Sequence, residues 1–218
     1  MDFVSTLSVL ATVTSFAIQL IGMEMSFRIV QKGSTADVAP APFIAFFVSA
    51  CVWLKYGLMM GITSVILTSC LSAVLQFLYI CIYYLYTNKK HFLHRLLLIG
   101  LFILFTPLMY VDFYETEVEL ASRHLGLYCC VLSVMCYASP MATLSEVLRH
   151  KSTDSISLPL CLINFVSAVE WTLYGLAIQD KFVTFPNFIG GVLGILQLSL
   201  FVVYGFKHKR GRPSIVNT

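Results

Sequence analysis

The sequence predicts an all-α integral membrane protein, its seven transmembrane helices arranged as two parallel three-helix repeats joined by one linker helix. Composition, the one-sided distribution of charge and an internal duplication each point there. Of 218 residues, 58% are apolar and only 11% charged, whereas a soluble domain is about half apolar and about a quarter charged. The apolar residues also fall in runs close to the roughly 20 residues that a helix needs to cross a hydrocarbon core.

In chain order the predicted spans are Leu7 to Ile29, Pro42 to Gly61, Thr63 to Tyr86, Leu96 to Tyr114, Leu125 to Leu148, Ile156 to Ile178 and Phe182 to Phe206. The first run has no basic residue ahead of it, its positive charge following at Arg28 and Lys32, and is expected to be a retained helix, not a signal peptide. Eleven basic residues, Arg28, Lys32, Lys89, Lys90, Arg95, Arg149, Lys151, Lys207, Lys209, Arg210 and Arg212, share one side of this topology, while the other side has only Arg123 and Lys181. By the positive-inside rule the eleven are cytosolic. The amino terminus is then extracellular or lumenal, the carboxyl-terminal tail cytosolic, and Asp112, Glu115, Glu117 and Glu119 belong to an external acidic loop after the fourth helix. The basic tail suits simple topology and attraction to anionic lipid better than a docking motif.

Sliding the chain against itself by 118 residues pairs Ser34 and Thr35 with Ser152 and Thr153, and Phe47 to Ala50 with Phe165 to Ala168. Trp53, Tyr56, Gly57 and Leu58 then meet Trp171, Tyr174, Gly175 and Leu176, making ten identities in 25 ungapped positions, a duplication signal. Both copies carry positive charge at the paired Ser-Thr loops, so they share one orientation. Three spans leave the chain on the opposite side from its start, and a second copy in the same sense requires one more crossing. This divides the chain into a first repeat at 7–86, a linker helix at 96–114, a second repeat at 125–206 and a basic tail at 207–218. Parallel repeats about an axis along the membrane normal are a transporter plan, with the substrate site near the midplane.

Residues 138–165, ASPMATLSEVLRHKSTDSISLPLCLINF, followed by WTLYGL at 171–176 and FPNFIGGVLGILQ at 185–197, resemble the pattern of the SWEET sugar transporters, in their animal form. The first repeat, with GSTADVAPAPF at 33–43 and WLKYGL at 53–58, matches more loosely. Coverage runs from about Ser15 to Tyr204. SWEET proteins exemplify the parallel-repeat plan, so the resemblance and the architecture are not independent observations. The resemblance implies facilitative, bidirectional uniport of a mono- or disaccharide by alternating access, residence in the plasma membrane or Golgi, and assembly into homotrimers.

A neutral sugar needs hydrogen-bonding groups around its hydroxyls and flat apolar surface against its ring. Indole and carboxamide together supply both. The resemblance places Trp171 and Asn187 at the family's pocket positions, and the repeat register carries them to Trp53 and Ser69. Ser69 stands where the family usually has Asn, so the two halves of the pocket are chemically unequal. On spacing alone, Trp171 reads equally as an interfacial anchor and Asn187 as an interhelical hydrogen-bonding residue. Proline within a membrane helix removes a backbone hydrogen bond and makes a pivot, a role that Pro42, Pro140 and Pro159 fit, while Pro107 in the linker helix reads as a static kink. At the family's helix-1 hinge proline this chain has Gly22, and at another hinge position Ser157. Tyr56 and Gly175 resemble positions near the external gate, and Gly190 and Gly194 read as close-packing elements. Glu24, Lys55 and Glu170 are charges inside apolar runs, which are functional candidates by default unless they pair or snorkel.

Competing classes find less support. There is no serine-histidine-acid arrangement, phosphate-binding loop or HExxH motif, and the seven cysteines lie in apolar runs without paired spacing, so no enzyme activity, metal or cofactor is expected. His91 and His94 lack nearby acidic or thiol partners. Nothing suggests nucleic acid; the expected partners are a sugar and the lipid bilayer. A seven-helix receptor needs no internal duplication. A proton-coupled exporter of amino acids of the PQ-loop type is closer in kind, but the Pro-Gln dipeptide is absent.

Overall fold

The computed structural model of the chain describes residues 2–36, 38–153 and 156–205; the expected tail at 207–218 lies outside them. The helices are α1 (Phe3–Lys32), α2 (Ala41–Met60), α3 (Thr63–Tyr86), α4 (Lys90–Met109), α5 (Val118–Cys136), α6 (Ala138–His150), α7 (Leu158–Ala177) and α8 (Lys181–Tyr204), with a π-helical turn at Tyr110–Tyr114 continuing α4. Counting α5 and α6 as one interrupted span, seven helices among the described residues are long and apolar enough to cross a membrane. No strand occurs among these residues.

In the first half, α3 packs against both α1 and α2; in the second, α8 packs against both α7 and the α5–α6 span. The halves meet where α1 packs on α7 and α2 on α5, and the linker helix α4 lies along α2. Each contact has its counterpart under the 118-residue register, apart from those of α4. Gly57 and Gly175 illustrate why. A Cβ on Gly57 would lie 3.2 Å from the Ile66 backbone nitrogen, and one on Gly175 would lie 2.8 Å from that of Thr184. These glycines let α2 approach α3, and α7 approach α8, at one register position.

Several boundaries differ from the sequence expectation. The span α1 extends three to four residues further at each end, and α4 starts at Lys90, because basic side chains at a helix end reach the interface without leaving the helix. The expected acidic loop shrinks to three residues, 115–117, between the π turn and α5. Asp112 belongs to that turn and Glu119 to the first turn of α5, where the exposed backbone N–H groups favour an anion.

Prolines divide into two kinds. Pro42 and Pro159 occupy the first turns of α2 and α7, where an N–H is not needed. They start helices and interrupt none, so the pivot reasoning applied to them from sequence does not hold at these sites. Pro107 and Pro186 lie within α4 and α8 and each releases the carbonyl four residues earlier. The Tyr128 hydroxyl donates to Ile103 O at 2.8 Å and the Cys130 thiol to Phe182 O at 3.4 Å, so α5 satisfies both. Pro140 sits three residues after the break at Tyr137 between α5 and α6, and its missing N–H leaves the Cys136 carbonyl without a helical donor. Its repeat counterpart Gly22 lies within the uninterrupted α1.

Candidate functional site

A cavity of about 220 Å³ lies between the halves, and Trp53, Ser69, Trp171 and Asn187 all line it. Trp53 projects from α2, Ser69 from α3, Trp171 from α7 and Asn187 from α8, one helix pair from each half. Trp171 is buried, which removes the interfacial-anchor reading. Its Nε1–H donates to Ser15 Oγ of α1 at 2.8 Å, while Trp53 Nε1–H donates to Ser133 Oγ of α5 at 3.1 Å. Ser15 and Ser133 are themselves 118 residues apart. Each indole is thus held by the opposite half, through symmetry-related bonds.

A second related pair flanks the first. Gln19 Nε2 donates to Thr68 O at 3.4 Å, and the Tyr137 hydroxyl donates to Pro186 O at 2.7 Å; both steps of register are again 118. Tyr137 reaches that carbonyl because Gly190 leaves the space, a Cβ there falling 2.7 Å from the hydroxyl. Gln19 Oε1 is buried and has no partner among the described residues. Asn187 Nδ2 donates to Val183 O at 2.7 Å, one turn back in α8. The remaining lining includes Phe46, Ser49, Thr68 and Ser72 and contains no Asp, Glu, Lys, Arg or His. Hydroxyls, carboxamides and two indoles are what the cavity offers.

Towards the membrane face where α1 begins, here the amino-terminal face, the cavity is sealed. The Tyr56 hydroxyl donates to Asp180 Oδ2 at 2.7 Å, and Asp180 Oδ1 accepts from the backbone N–H groups of Phe182 and Val183 at 2.8 and 3.0 Å. Asp180 therefore caps α8 and ties it to α2 at once. Tyr56 makes edge contacts with Trp53 and Phe182, ring centroids 5.6 and 6.0 Å apart. Its counterpart Tyr174 stands edge-on to Trp171 at 5.7 Å and accepts from Ser64 Oγ, which also meets Ser8 Oγ. Above this layer lies a vestibule of about 600 Å³, lined in part by Ser5, Ser8, Thr63 and Lys181.

Other expectations resolve individually. Glu24 pairs with Arg28 on exposed α1, and Lys55 with Asp112 of the π turn. Glu170 has a buried Oε2 with no partner among the described residues, outside the cavity lining. No group of three or more potential metal ligands occurs among the described residues.

A pseudo-symmetric helical bundle enclosing a neutral, indole-lined chamber at the junction of its repeats is the build of a membrane carrier for a small uncharged solute. The family model described as "Sugar efflux transporter for intercellular exchange" matches twice, at residues 5–91 and 123–209. Sugar transporter SWEET1 of Drosophila pseudoobscura pseudoobscura is 35% identical over 93% of this chain and 89% of its own length, and that of Xenopus tropicalis 31% identical over 80% and 82%. Bidirectional sugar transporter SWEET13 of Arabidopsis thaliana is 30% identical over 91% of this chain and 69% of its own. A structure of a eukaryotic SWEET transporter superposes with a TM-score of 0.84 at 25% identity, over 92% of this chain and 96% of that one. This chain belongs to the SWEET family of sugar transporters, which is not an enzyme class.

Sequence reasoning missed Ser15, Ser133, Tyr174 and Asp180. The 118-residue register already paired the first two, and Asp180, two residues before the apolar run that opens at Phe182, is a helix-start signal.

Proposed function

We propose that the protein is a facilitative uniporter that moves a monosaccharide in either direction by alternating access. The observation that carries this reading is the crossed pair of indole bonds, Trp53 to Ser133 and Trp171 to Ser15, around a lining with no acidic or basic side chain among the described residues. Such a site stacks a sugar ring between two indoles and meets its hydroxyls with Asn187, Ser69 and the free Gln19 Oε1. It has no carboxylate through which to couple a proton. A cavity of about 220 Å³ compares with the roughly 150 Å³ that holds benzene, which favours one sugar ring over two.

Opening at the amino-terminal face breaks the Tyr56–Asp180 bond, and the close α7–α8 contact at Gly175 moves the two helices together. Pro140 and the Tyr137 break provide the bend in the second half, and Gly22 serves the first more stiffly. In this reading the repeats 7–86 and 125–206 rock about the linker 96–114, the amino-terminal face is extracellular or lumenal, and the basic face is cytosolic. The family resemblance further supports plasma membrane or Golgi residence and homotrimers.

Uptake of a radiolabelled panel into transport-null cells tests the substrate class. Saturable uptake of hexoses with little sucrose or maltose uptake is expected; uptake of disaccharides at comparable rates, or of amino acids instead, overturns it.

A further inference from the structure

A third cavity, of about 530 Å³, has no part in the sugar site. It is an apolar cleft between α2, α3 and α4, walled by Ile44, Phe47, Phe77, Ile80, Leu97 and Leu101 among others. On α2 the neighbouring residue Phe46 lines the sugar cavity while Phe47 lines the cleft, so one helix separates the two. Phe77 and Leu101 are exposed and the cleft is open to the bilayer side.

At the basic face the cleft changes character. Tyr84 is its last aromatic wall, with Lys90 Nζ 5.1 Å from its ring centroid and the His94 ring 5.7 Å away. Lys90, His94, Leu97, Leu101 and Leu104 follow one another at steps of four and three along α4, the spacing of one helix face. An apolar trough thus runs straight into a cationic, N–H-rich mouth. From Lys90 to Leu104 is a rise of about 21 Å at about 1.5 Å per residue, compared with about 15 Å for one leaflet of a hydrocarbon core about 30 Å thick. Headgroup depth plus one leaflet fits that length. Basic pockets between membrane helices suit anionic headgroups, and α4 begins at this point without a side-chain cap, leaving backbone N–H donors for an anion.

We propose that this cleft is a binding site for one anionic glycerophospholipid, an acyl chain lying between α2, α3 and α4 and the phosphate on Lys90 and His94. The charge at the mouth selects the occupant: a zwitterionic lipid fills the trough equally well but gains less from Lys90, and a second copy of the chain would have to bring an anion to the same point.

Native mass spectrometry of the full chain in a neutral detergent, titrated with dioleoyl phosphatidylserine or dioleoyl phosphatidylcholine, tests this. One phosphatidylserine is expected to be retained at least tenfold more tightly than phosphatidylcholine. Lys90→Gln with His94→Gln should abolish that preference, whereas Arg149→Gln with Lys151→Gln, cations of the same face away from the cleft, should leave it intact. Leu101→Trp, which fills the trough, should weaken retention of both lipids. Equal retention of the two lipids by the native chain, or a preference untouched by the Lys90 and His94 changes, overturns the site. Full competition by glycerophosphoserine, the headgroup without chains, overturns the role of the trough, and disulfide trapping of a second copy between cysteines placed at Phe77 and Leu101 assigns the cleft to self-association instead.

Discussion

Tyr56→Phe isolates the seal at the amino-terminal face with little other disturbance. Phenylalanine retains the edge contacts to Trp53 and Phe182 and loses only the hydroxyl that donates to Asp180 Oδ2 at 2.7 Å. Asp180 keeps both backbone N–H bonds to Phe182 and Val183, so the start of α8 is unchanged. A hydrogen bond to a charged group contributes about 1.5–3 kcal/mol, and each 1.4 kcal/mol is about a factor of ten in an equilibrium. The open fraction at this face should therefore rise roughly 10- to 150-fold, up to the point where open molecules predominate. In Ser69→Cys protein, labelling by an impermeant methanethiosulfonate reagent from the amino-terminal face reads that fraction, with the Ser69 chain correcting for native thiols. Tyr56→Phe should accelerate labelling by at least tenfold. An unchanged rate would mean that the Tyr56–Asp180 bond does not hold the seal.

Further predictions concern the chamber and the helix contacts. Ser15→Ala leaves the buried Trp171 indole without its acceptor, a loss of about 1–3 kcal/mol; transport should fall more than for Ser133→Ala, whose indole bond is longer at 3.1 against 2.8 Å, and equal losses would remove the distinction. Ser69→Ala should change apparent sugar affinity by less than tenfold, under about 1.4 kcal/mol, whereas Asn187→Ala should cost about 1–3 kcal/mol; equal effects in transport assays would contradict the unequal halves. Gly175→Ala places a Cβ 2.8 Å from the Thr184 backbone nitrogen, so α7 and α8 must part and the detergent-solubilised protein should melt several degrees lower, while an unchanged melting temperature would show that the contact yields freely.

The seven-span plan was legible because bilayer crossing demands long apolar runs, and the repeat because both Trp-x-x-Tyr-Gly-Leu segments serve the same packing role. Placing Trp53, Ser69, Trp171 and Asn187 around one cavity needed the register and the family pattern together. What the sequence concealed was mostly reciprocal. Ser15 and Ser133 are unremarkable serines until the opposite half presents an indole, and Asp180 reads as a short loop residue until Tyr56 arrives from 124 positions away. Prolines misled in a different way: hydropathy runs do not reveal that Pro42 and Pro159 stand in first turns, nor that Pro186 is the one whose released carbonyl a cysteine satisfies.

The central claim, passive two-way sugar movement through a neutral chamber, is tested most directly in liposomes containing the purified chain and radiolabelled glucose, with sodium absent and pH equal on both sides. The account predicts that label equilibrates inward and outward, that unlabelled glucose on the far side accelerates exchange, and that Trp171→Ala abolishes both. Movement that requires an imposed proton or sodium gradient, or that survives Trp171→Ala undiminished, would contradict it.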